Sequence, residues 1–406
     1  MLAAMNNPPA TVIRFVNAAH FIDHYAMLVF AAAVVVIAPS FGMAYGQLLP
    51  YATPGFIAFG AGSLATGWLG DRWSRRHMMV IFFFGMASAL AGVGLARSPG
   101  QLSAALLAVG LFASIYHPVG TAMLVGHAGP RLGREIGING VWGNLGVASS
   151  ALVTGLACQY LGWRWAFILP GMAVALLGVA FAARVRHEPP ARAGTRAAGA
   201  ARVPRDAMRR VVAALAITIV ASSTTFNAVT VALPKLFAER LAGLTASPAL
   251  LGLVAAGAYV FGALAQYTIG NLIDRHPLKT VFLPLALAAA PLIFFSAHID
   301  GVVFVVAAIG IIIGIFGQVT VNDAMVARYT SDEWRARAYS FRYFLGFTAA
   351  GASIGLVAWL HERGGFTLLL QALGGLGLLV IVGALVFPLE QRQSPAAAGA
   401  PSKTPA

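Results

Sequence analysis

The charged stretch that decides the fold is GWLGDRWSRR, residues 67–76, which lies between two long apolar runs. It has a second copy, GNLIDRHPLK at residues 270–279, in which the first glycine, the aspartate, the arginine and the last cation recur. The offset between the copies is 203 positions, and it also relates Gly143 to Gly346. A repeat that stays in register over this distance predicts two homologous halves.

The composition is that of an integral membrane protein. Hydrophobic residues make up 59% of the chain and charged residues only 10%. The apolar runs repeatedly reach the roughly 20 residues that a helix needs to cross a bilayer. Backbone groups inside lipid must be satisfied within their own segment, which favours helices over strands. We predict an all-α membrane protein with twelve transmembrane helices in two pseudo-symmetric six-helix bundles. The predicted spans lie near residues 12–38, 47–69, 78–96, 102–126, 136–158, 163–183, 211–234, 249–273, 280–298, 301–327, 338–360 and 366–388.

The positive charges predict the orientation of the chain. The formal net charge is +14, which in a soluble protein would suggest a nucleic-acid partner. Most of the 27 Lys and Arg residues, however, lie in the loops on the Asp71 side or between the halves, so we expect no nucleic acid. Cytoplasmic loops carry the excess of Lys and Arg, which places both termini and the central segment in the cytoplasm. The cations expected on the opposite side are Arg97, Arg164, Lys235, Arg240 and Arg363.

A change in composition marks the boundary between the halves. Residues 184–210 are rich in Arg, Ala, Pro and Gly and cannot bury a core, so they are predicted to form a flexible, basic cytoplasmic linker. The first six-helix bundle is expected at residues 1–183 and the second at residues 211–390. A disordered cytoplasmic tail is expected at residues 391–406.

Polar side chains at membrane depth are concentrated in the first helix of each three-helix unit. Predicted spans one, four, seven and ten carry the dense clusters, whereas spans three, six, nine and twelve are almost pure hydrocarbon. A helix that is apolar all round can face lipid, but a polar stripe must line water or another helix. Transporters built from repeats show this distribution, with their site near the midplane. The candidate solute-binding and proton-binding residues are Asn17, His20, Asp23, His24, Tyr116, His117, Asn227, Asn322, Asp323 and Arg342.

Two aspartates lie at membrane depth, Asp23 in span one and Asp323 in span ten. Asp23 has His20 and His24 within a turn and is a candidate proton carrier, because histidine titrates near neutral pH. The alternative is a fixed hydrogen-bonded pair that joins two helices. Asp323 could neutralise Arg342 on the next span, or Arg342 could be left to bind an anionic solute with its planar fork.

Span four contains Tyr116-His117-Pro118, in which the proline frees a backbone carbonyl and predicts a kink. His117 either faces the cavity or is satisfied by a backbone carbonyl, and the sequence does not choose between these. Asn227 in span seven likewise either contacts the solute or forms a hydrogen bond between helices.

The pattern Gly-x-x-x-Asp-Arg-x-x-Arg-Arg after the second apolar run resembles the loop signature of the Major Facilitator Superfamily, and the weaker second copy resembles that family's repeat. The resemblance covers nearly all of the chain apart from the linker and the tail. It implies alternating access between two bundles and a cytoplasmic latch that closes when the carrier is open to the outside. By resemblance, the latch residues are Gly67, Asp71, Arg72, Arg75, Arg76, Gly270, Asp274, Arg275 and Lys279.

Three short stretches resemble the fosmidomycin-resistance group of exporters within that superfamily. They are His20-Phe21-Ile22-Asp23, Tyr116-His117-Pro118 and Gly143-Asn144-Leu145-Gly146. This resemblance favours export over import. The chain departs from drug/proton antiporters in span five, where they usually carry a Gly-Pro pair and this sequence has Ser150-Ala151.

We therefore expect a secondary active transporter and not an enzyme. It would move a small polar or anionic organic solute across the inner (plasma) membrane of a bacterium, as a proton-coupled antiporter. Protons rather than ATP are expected to supply the energy, since the chain has no Gly-x-x-x-x-Gly-Lys-[Ser/Thr] loop. We expect no cofactor and no resident metal, and the single Cys158 excludes a cysteine-based metal cage. The carrier is expected to act as a monomer in the bilayer.

Two rival functions stay open. One is uptake of a transition metal as cargo, by resemblance to a copper importer of the same superfamily, with nitrogen and oxygen ligands from His20, Asp23, His24 and His117. The methionine-rich motifs expected for Cu(I) are missing from spans seven and eight. The other rival is a membrane assembly factor that has kept a transporter's shell. A rigid scaffold, however, has no use for a repeated latch.

Overall fold

The computed structural model describes residues 8–129, 132–186, 205–329 and 332–388, and within them only the backbone of 132–133, 205–208, 327, 332–344 and 347. Every regular element in these ranges is a helix. The first half contains α1 (Pro9–Ser40), α2 (Tyr45–Leu48), α3 (Thr53–Arg72), α4 (Arg75–Leu95), α5 (Pro99–Ala113), α6 (Thr121–Ala128), α7 (Leu132–Tyr160) and α8 (Trp165–Arg184). The second half contains α9 (Arg205–Arg240), α10 (Pro248–Arg275), α11 (Leu278–Phe295), α12 (Gly301–Tyr329) and α13 (Asp332–Val386).

The predicted all-α membrane fold is confirmed. Ten helical segments of the described chain are long and apolar enough to cross a bilayer. One of them, Thr348–Val386, contains most of the last two predicted spans, and α3 adds a further helix of 20 residues at the second predicted span. Each of the twelve predicted spans thus corresponds to a helix or to one leg of a helix.

Helix α13 consists of two legs separated by a pair of glycines. Gly364 and Gly365 have non-helical backbone angles, and Gly365 has a φ of 62°. Side chains other than hydrogen rarely tolerate a positive φ, so glycine is needed at Gly365. The loop predicted between the last two spans is therefore a two-residue break in an otherwise continuous helical run.

Two helices begin or bend in ways that the apolar pattern alone does not specify. The second predicted span starts at residue 47, but there the chain forms the short α2 and a 3-10 turn at Leu49–Ala52 before α3 begins at Thr53. Leu48 and Leu49 are fully buried, so these residues are apolar because they pack beneath the helix ends and not because they span the membrane. Pro50 cannot donate a backbone hydrogen bond, which favours the turn.

The kink expected in span four is present. Between α5 and α6 the chain forms a π-helical turn at Tyr116–Gly120, which contains Pro118. Such turns widen the helix by one residue and commonly occur at functional sites. The turn directs His117 and Tyr116 toward α1.

The helix ends define two faces of the molecule. We call the ends near Tyr45 the Tyr45 face and the opposite ends, near Asp71, the Asp71 face. Helix α1 packs on α7 and α4 packs on α8 in the first half, while α13 packs on α9 and α10 on α12 in the second. The halves meet along two seams, one between α7 and α10 and one between α3 and α13.

The α7–α10 seam is close enough to require glycine. A Cβ atom on Gly155 would lie 2.3 Å from the carbonyl oxygen of Pro248, and one on Gly252 would lie 2.4 Å from that of Ala151. The two backbones are therefore in direct contact, as small residues permit between membrane helices. This contact lies toward the Tyr45 face.

Buried side chains show where the halves are joined. Residues of the second half toward the Tyr45 face, such as Leu236 and Phe304, belong to a hydrophobic core that continues into the first half. Those toward the Asp71 face, such as Phe282 and Phe387, form a separate core of their own. The two halves therefore share apolar packing at the Tyr45 face.

Candidate functional site

A buried carboxylate lies at the centre of the first half. Asp23 on α1 is 0% exposed, and one of its oxygens lies 3.3 Å from Nε2 of His117 on the π-helical turn. Among the described residues, no well-directed hydrogen bond reaches either carboxylate oxygen of Asp23. A charge without directed donors in a dry site is costly, so this group is poised to exchange a proton or to meet a ligand.

Three imidazoles form a cluster, and one of them, His117, contacts this carboxylate. Nε2 of His24 lies 3.0 Å from Nε2 of His20, while Nδ1 of His20 lies 2.7 Å from the backbone carbonyl oxygen of Asn139. Since two Nε2 atoms at hydrogen-bond distance share a single proton, His20 and His24 cannot both be fully protonated in this arrangement. One ring nitrogen each of His20, His24 and His117 lie within 4.8 Å of one another.

A chain of amide and hydroxyl groups holds the cluster in place. The side-chain amide of Asn139 donates to Oδ1 of Asn17 at 2.9 Å, and the Tyr116 hydroxyl donates to Oδ1 of Asn139 at 3.0 Å. The Tyr116 ring stacks on His20 with centroids 4.7 Å apart. This network joins α1, α7 and the π-helical turn, and it fixes the His20 ring beside His24.

The structure thus brings together six of the residues that the sequence singles out. They are Asn17, His20, Asp23, His24, Tyr116 and His117. Asn139 belongs to the same network, although it was not among the predicted site residues. The signal that could have found it is an amide side chain at membrane depth in span five.

The predicted site residues of the second half have local partners. The Asn227 side chain donates to the carbonyl oxygen of Ser223 at 2.8 Å, one turn earlier on α9. Oδ1 of Asn322 accepts from the Thr218 hydroxyl at 3.3 Å and is buried between α9 and α12. Asp323 is half-buried on α12, and the side chain of Arg342 lies outside the described residues, so their pairing stays a prediction.

A polar contact also crosses between the halves. The side-chain amide of Asn144 on α7 donates to Oε1 of Gln266 on α10 at 2.7 Å. Nearer the Tyr45 face, Oε1 of Gln159 accepts from the Ser247 hydroxyl at 2.5 Å and from the backbone N–H of Ala249 at 3.0 Å. The first half therefore caps the N-terminus of α10, and the α7–α10 seam is closed over this length.

The acid of the predicted latch faces solvent. The Asp71 side chain, at the end of α3, is 63% exposed and accepts a hydrogen bond from Arg75, at the start of α4, at 2.7 Å. Asp274 and Arg275 in the second copy are exposed as well, and Arg72 lies over the Trp68 ring at 5.6 Å. The latch role of these residues stays a prediction.

The last cation of each copy caps a neighbouring helix. Arg76 donates to the carbonyl oxygens of Ala182 and Val185 at the end of α8. Lys279 donates to those of Leu385 and Phe387 at the end of α13, at 2.6 Å each. Cations at helix C-termini satisfy free carbonyl groups and oppose the helix dipole. This equivalence between the halves accounts for the recurrence of the cation in the repeated stretch.

The glycines of the first stretch connect it to the site. A Cβ atom on Gly67 would lie 3.1 Å from the Pro118 ring, and one on Gly70 would lie 2.7 Å from the Val119 side chain. Helix α3 therefore packs directly on the π-helical turn that carries His117. A displacement of this turn would be passed to the Asp71 loop at the end of α3.

A second polar cluster, which sequence reasoning missed, joins the halves at the Tyr45 face. The Tyr45 ring is 6% exposed and contacts His361 at 5.1 Å between centroids, with Nζ of Lys235 5.7 Å from the Tyr45 ring centroid. Glu239 pairs with Lys235 at 3.2 Å and with His361 at 3.0 Å. Burial raises the pKa of the Tyr45 hydroxyl above its usual range, so it stays neutral. We call these four residues the outer cluster.

The sequence profile of the Major Facilitator Superfamily matches residues 16–245 and 215–405. The chain belongs to the Major Facilitator Superfamily. It is therefore a multi-pass membrane transporter and not an enzyme, and the family resemblance noted in the charged stretches is confirmed. The two profile matches overlap at residues 215–245, and together they cover both halves of the chain.

Solved structures of superfamily transporters share the fold. A bacterial homologue of the human lysosomal transporter Spinster, in an inward-facing and occupied conformation, is 13% identical with a TM-score of 0.76, covering 94% of this chain and 96% of that one. A D-xylose-proton symporter is 14% identical with a TM-score of 0.73, covering 93% and 96%. At this identity, the likeness shows the fold alone.

A curated relative is similar over part of the chain. The puromycin resistance protein pur8 of Streptomyces alboniger is 35% identical over 138 residues, which is 32% of this chain and 27% of the relative. The match thus spans about a quarter of the relative's length. It fits the exporter-like group within the superfamily.

Proposed function

We propose that this superfamily member is a proton-coupled antiporter that exports a small polar or anionic organic solute. It alternates between inward-open and outward-open states by movement of two bundles, residues 1–183 and 211–390. They are connected by the basic segment 184–210, of which residues 205–210 belong to α9, and followed by a tail at 391–406. It works as a monomer in the inner membrane of a bacterium. The resistance phenotype in the name of the 35% identical relative supports export.

The observation that carries this proposal is the Asp23 carboxylate. It is fully buried, lies 3.3 Å from His117, and has no well-directed hydrogen bond from the described residues. A structural ion pair in a dry site is normally supported by additional hydrogen bonds, because burial is otherwise too costly. An undersupported carboxylate beside imidazoles is suited to gain and lose a proton.

The contacts of the cluster suggest how protonation of Asp23 is coupled to movement of the helices. When Asp23 accepts a proton, any ionic attraction between its carboxylate and a protonated His117 imidazole is lost, which would free the π-helical turn to shift. Because α3 packs on this turn through Gly67 and Gly70, the shift reaches the α3–α13 seam and the Asp71 loop. An anionic solute that approaches the imidazoles would compete with the Asp23 charge, as an antiporter requires.

The positive-inside rule supports a cytoplasmic position for the Asp71 face. The outer cluster and the tight part of the α7–α10 seam would then close the external side, which corresponds to an inward-facing carrier. The exposed Asp71, paired only locally with Arg75 in its own loop, agrees with a latch that engages in the opposite state.

The test is proton-driven flux in proteoliposomes. A thermal-shift screen of carboxylates, phosphonates and puromycin at two pH values would supply a binder, since bound ligand stabilises the folded state. We predict that Asp23→Asn reduces accumulation driven by a pH gradient to the level of protein-free liposomes, while exchange of the same binder without a gradient persists.

Asp300→Asn is the matched control, because Asp300 is an exposed aspartate that pairs with Arg240 at 2.8 Å far from the cluster. Its accumulation should equal that of the wild type. Gradient-driven accumulation that is intact in Asp23→Asn would contradict the assignment of the proton site.

A transition metal is the second candidate cargo, because ring nitrogens of three histidines lie within 4.8 Å of one another. Imidazole suits several divalent first-row ions. Cellular metal content separates the candidates. If the cellular contents of zinc, copper, nickel and cobalt are unchanged in cells that lack the protein, a transition metal is not the cargo.

A further inference from the structure

A chamber, which we call the outer chamber, lies between the halves and away from the Asp23 cluster. It has a volume of about 290 Å³ and opens near the connection between α9 and α10, at the Tyr45 face. Its walls come from α1, α7, α9 and α10, so both bundles contribute. Representative lining residues are Val35, Ala151, Cys158, Pro234 and Ala238.

The lining of this chamber is apolar. The described residues that form it are mostly alanine, valine, glycine, proline and leucine. The exceptions are Thr245, with a hydroxyl group, and Cys158, with a thiol, and none of these lining residues is charged. Liquid water occupies about 30 Å³ per molecule, so the volume suits a group of about ten heavy atoms. Apolar walls of this size favour a hydrocarbon or aromatic group over an ion.

The chamber continues the same transport axis. Ala32 lines it eight residues after His24 on α1, which at 1.5 Å per residue is about 12 Å along the helix. Gly155 and Gly252, whose backbones touch across the α7–α10 seam, form part of its wall. Any opening of that seam would widen the chamber and expose it to the Tyr45 face.

We propose that this outer chamber binds the apolar part of an amphipathic solute on its way across the membrane. The polar or anionic part of the solute contacts the histidine cluster in one state, and the apolar part occupies the chamber when the solute moves toward the Tyr45 face. The inference rests on the proposed function for the polar end and adds the apolar end to it. The transported compound is thus an amphiphile and not a fully polar metabolite.

Cys158 provides a direct reading of occupancy, because it is the single cysteine of the chain and lines the chamber. The experiment measures its alkylation by N-ethylmaleimide in lipid nanodiscs, with alkylphosphonates from butyl to decyl as probes. We expect the free aqueous concentration that gives half-protection to fall about fourfold per added methylene, which corresponds to about 0.8 kcal/mol.

Two variants separate the chamber from the surrounding lipid. Val35→Phe fills the chamber and should abolish the dependence on chain length, whereas Val306→Phe, at a site 67% exposed on α12, should leave it unchanged. A Cys158→Ala variant with Val306→Cys reports partitioning of the probes into the bilayer. Alkylation at this second cysteine should not show the same protection.

Each possible result either supports the outer chamber as a solute site or rejects it. Protection that does not depend on chain length, that persists in Val35→Phe, or that is equal at Val306→Cys would overturn the chamber as a solute site. Protection of Cys158 by bound lipid before any probe is added would do so too. Chain-length-dependent protection together with a failure of proton-driven flux would instead reject the proposed proton coupling and leave the chamber's ligand class standing.

Discussion

At the scale of single residues, the polar groups around Asp23 divide, within the described part of the chain, into amide and hydroxyl groups that bond to one another and a carboxylate without such bonds. Asn17, Asn139 and Tyr116 satisfy one another through two hydrogen bonds, and Asn139 also fixes His20 through its carbonyl oxygen. The Asp23 carboxyl group has a neighbouring imidazole but no such directed support among the described residues. The bonded amide and hydroxyl groups are suited to holding the His20 ring in position, whereas the Asp23 carboxyl group is suited to gaining and losing a proton.

The hydrogen-bond network predicts a stability effect. Asn139→Ala removes the bonds to Asn17 and Tyr116, and we expect it to lower the free energy of unfolding by about 1 to 2 kcal/mol. Thermal unfolding in detergent measures the change. Asn271→Ala on the exposed side of α10 is the control and should stay within about 0.5 kcal/mol. Equal midpoints for the two variants would show that the network contributes nothing to stability.

At the scale of elements, irregular backbone does much of the positioning. The π-helical turn at Tyr116–Gly120 directs His117 toward Asp23, and glycines of α3 let that helix pack on the turn. The break at Gly364–Gly365 lets α13 supply two legs, of which one packs on α3. In both places a residue that disturbs a regular helix lets a side chain or a helix reach its partner.

The break in α13 predicts a position-specific glycine effect. At Gly365 the φ of 62° excludes ordinary side chains, so Gly365→Ala should destabilise the protein by about 1 to 3 kcal/mol. Gly375→Ala is the matched control, since a Cβ there has no neighbour within 4 Å and the residue lies in a regular helix. Thermal unfolding should therefore show a loss for the first variant and no loss for the second. A loss of the same size at both positions would contradict the conformational explanation.

At the scale of the whole molecule, the two halves are joined at one face. The outer cluster, the glycine contact of the α7–α10 seam and the shared hydrophobic core all lie toward the Tyr45 face. At the Asp71 face, the second half has a separate core and Asp71 pairs within its own loop. Rocking of the halves would exchange these two sets of contacts.

The outer cluster predicts a shift in conformation. Glu239→Gln removes the charge that holds Lys235 and His361 against the Tyr45 ring, which is the contact that crosses between the halves, so the Tyr45 face should populate longer separations. Double electron–electron resonance between spin labels at Leu161→Cys and Leu244→Cys, in a Cys158→Ala background, measures this distance. Both label sites are exposed and lie on opposite halves. Asp300→Asn, which breaks the pair with Arg240 and leaves the contacts of Lys235 and His361 with Tyr45 in place, should leave the distribution unchanged. An unchanged distribution in Glu239→Gln would mean that the cluster does not hold the face closed.

The latch predicts the opposite response. Among the described residues, the ion pair of Asp71 is with Arg75 of the same half, so a latch function requires that Asp71 stabilise the other state. Asp71→Asn should therefore keep the Tyr45-face distances short and partly reverse the effect of Glu239→Gln in the double variant. The same spin-label pair measures both. Longer distances in Asp71→Asn alone would refute the latch.

Several features were predictable because they depend on local sequence. Hydrophobic run length determines which segments cross the membrane, and the repeat of the Asp71 stretch identifies the two halves. The polar face of span one could be placed on one side of its helix because residues three and four apart share a face. Pro118 predicted the irregular turn because it has no N–H to donate.

What the sequence determined is therefore the number of helices, their pseudo-symmetry and the position of Asp23 with His20 and His24 on one helix face. Only the tertiary structure decided which side chains from other helices meet that face. It supplied His117 and Asn139, gave Arg76 and Lys279 a capping role, and assembled the outer cluster around Tyr45. The physical reason is that helical periodicity specifies the direction of a side chain, whereas its partner depends on how close glycine and proline allow helices distant in sequence to approach.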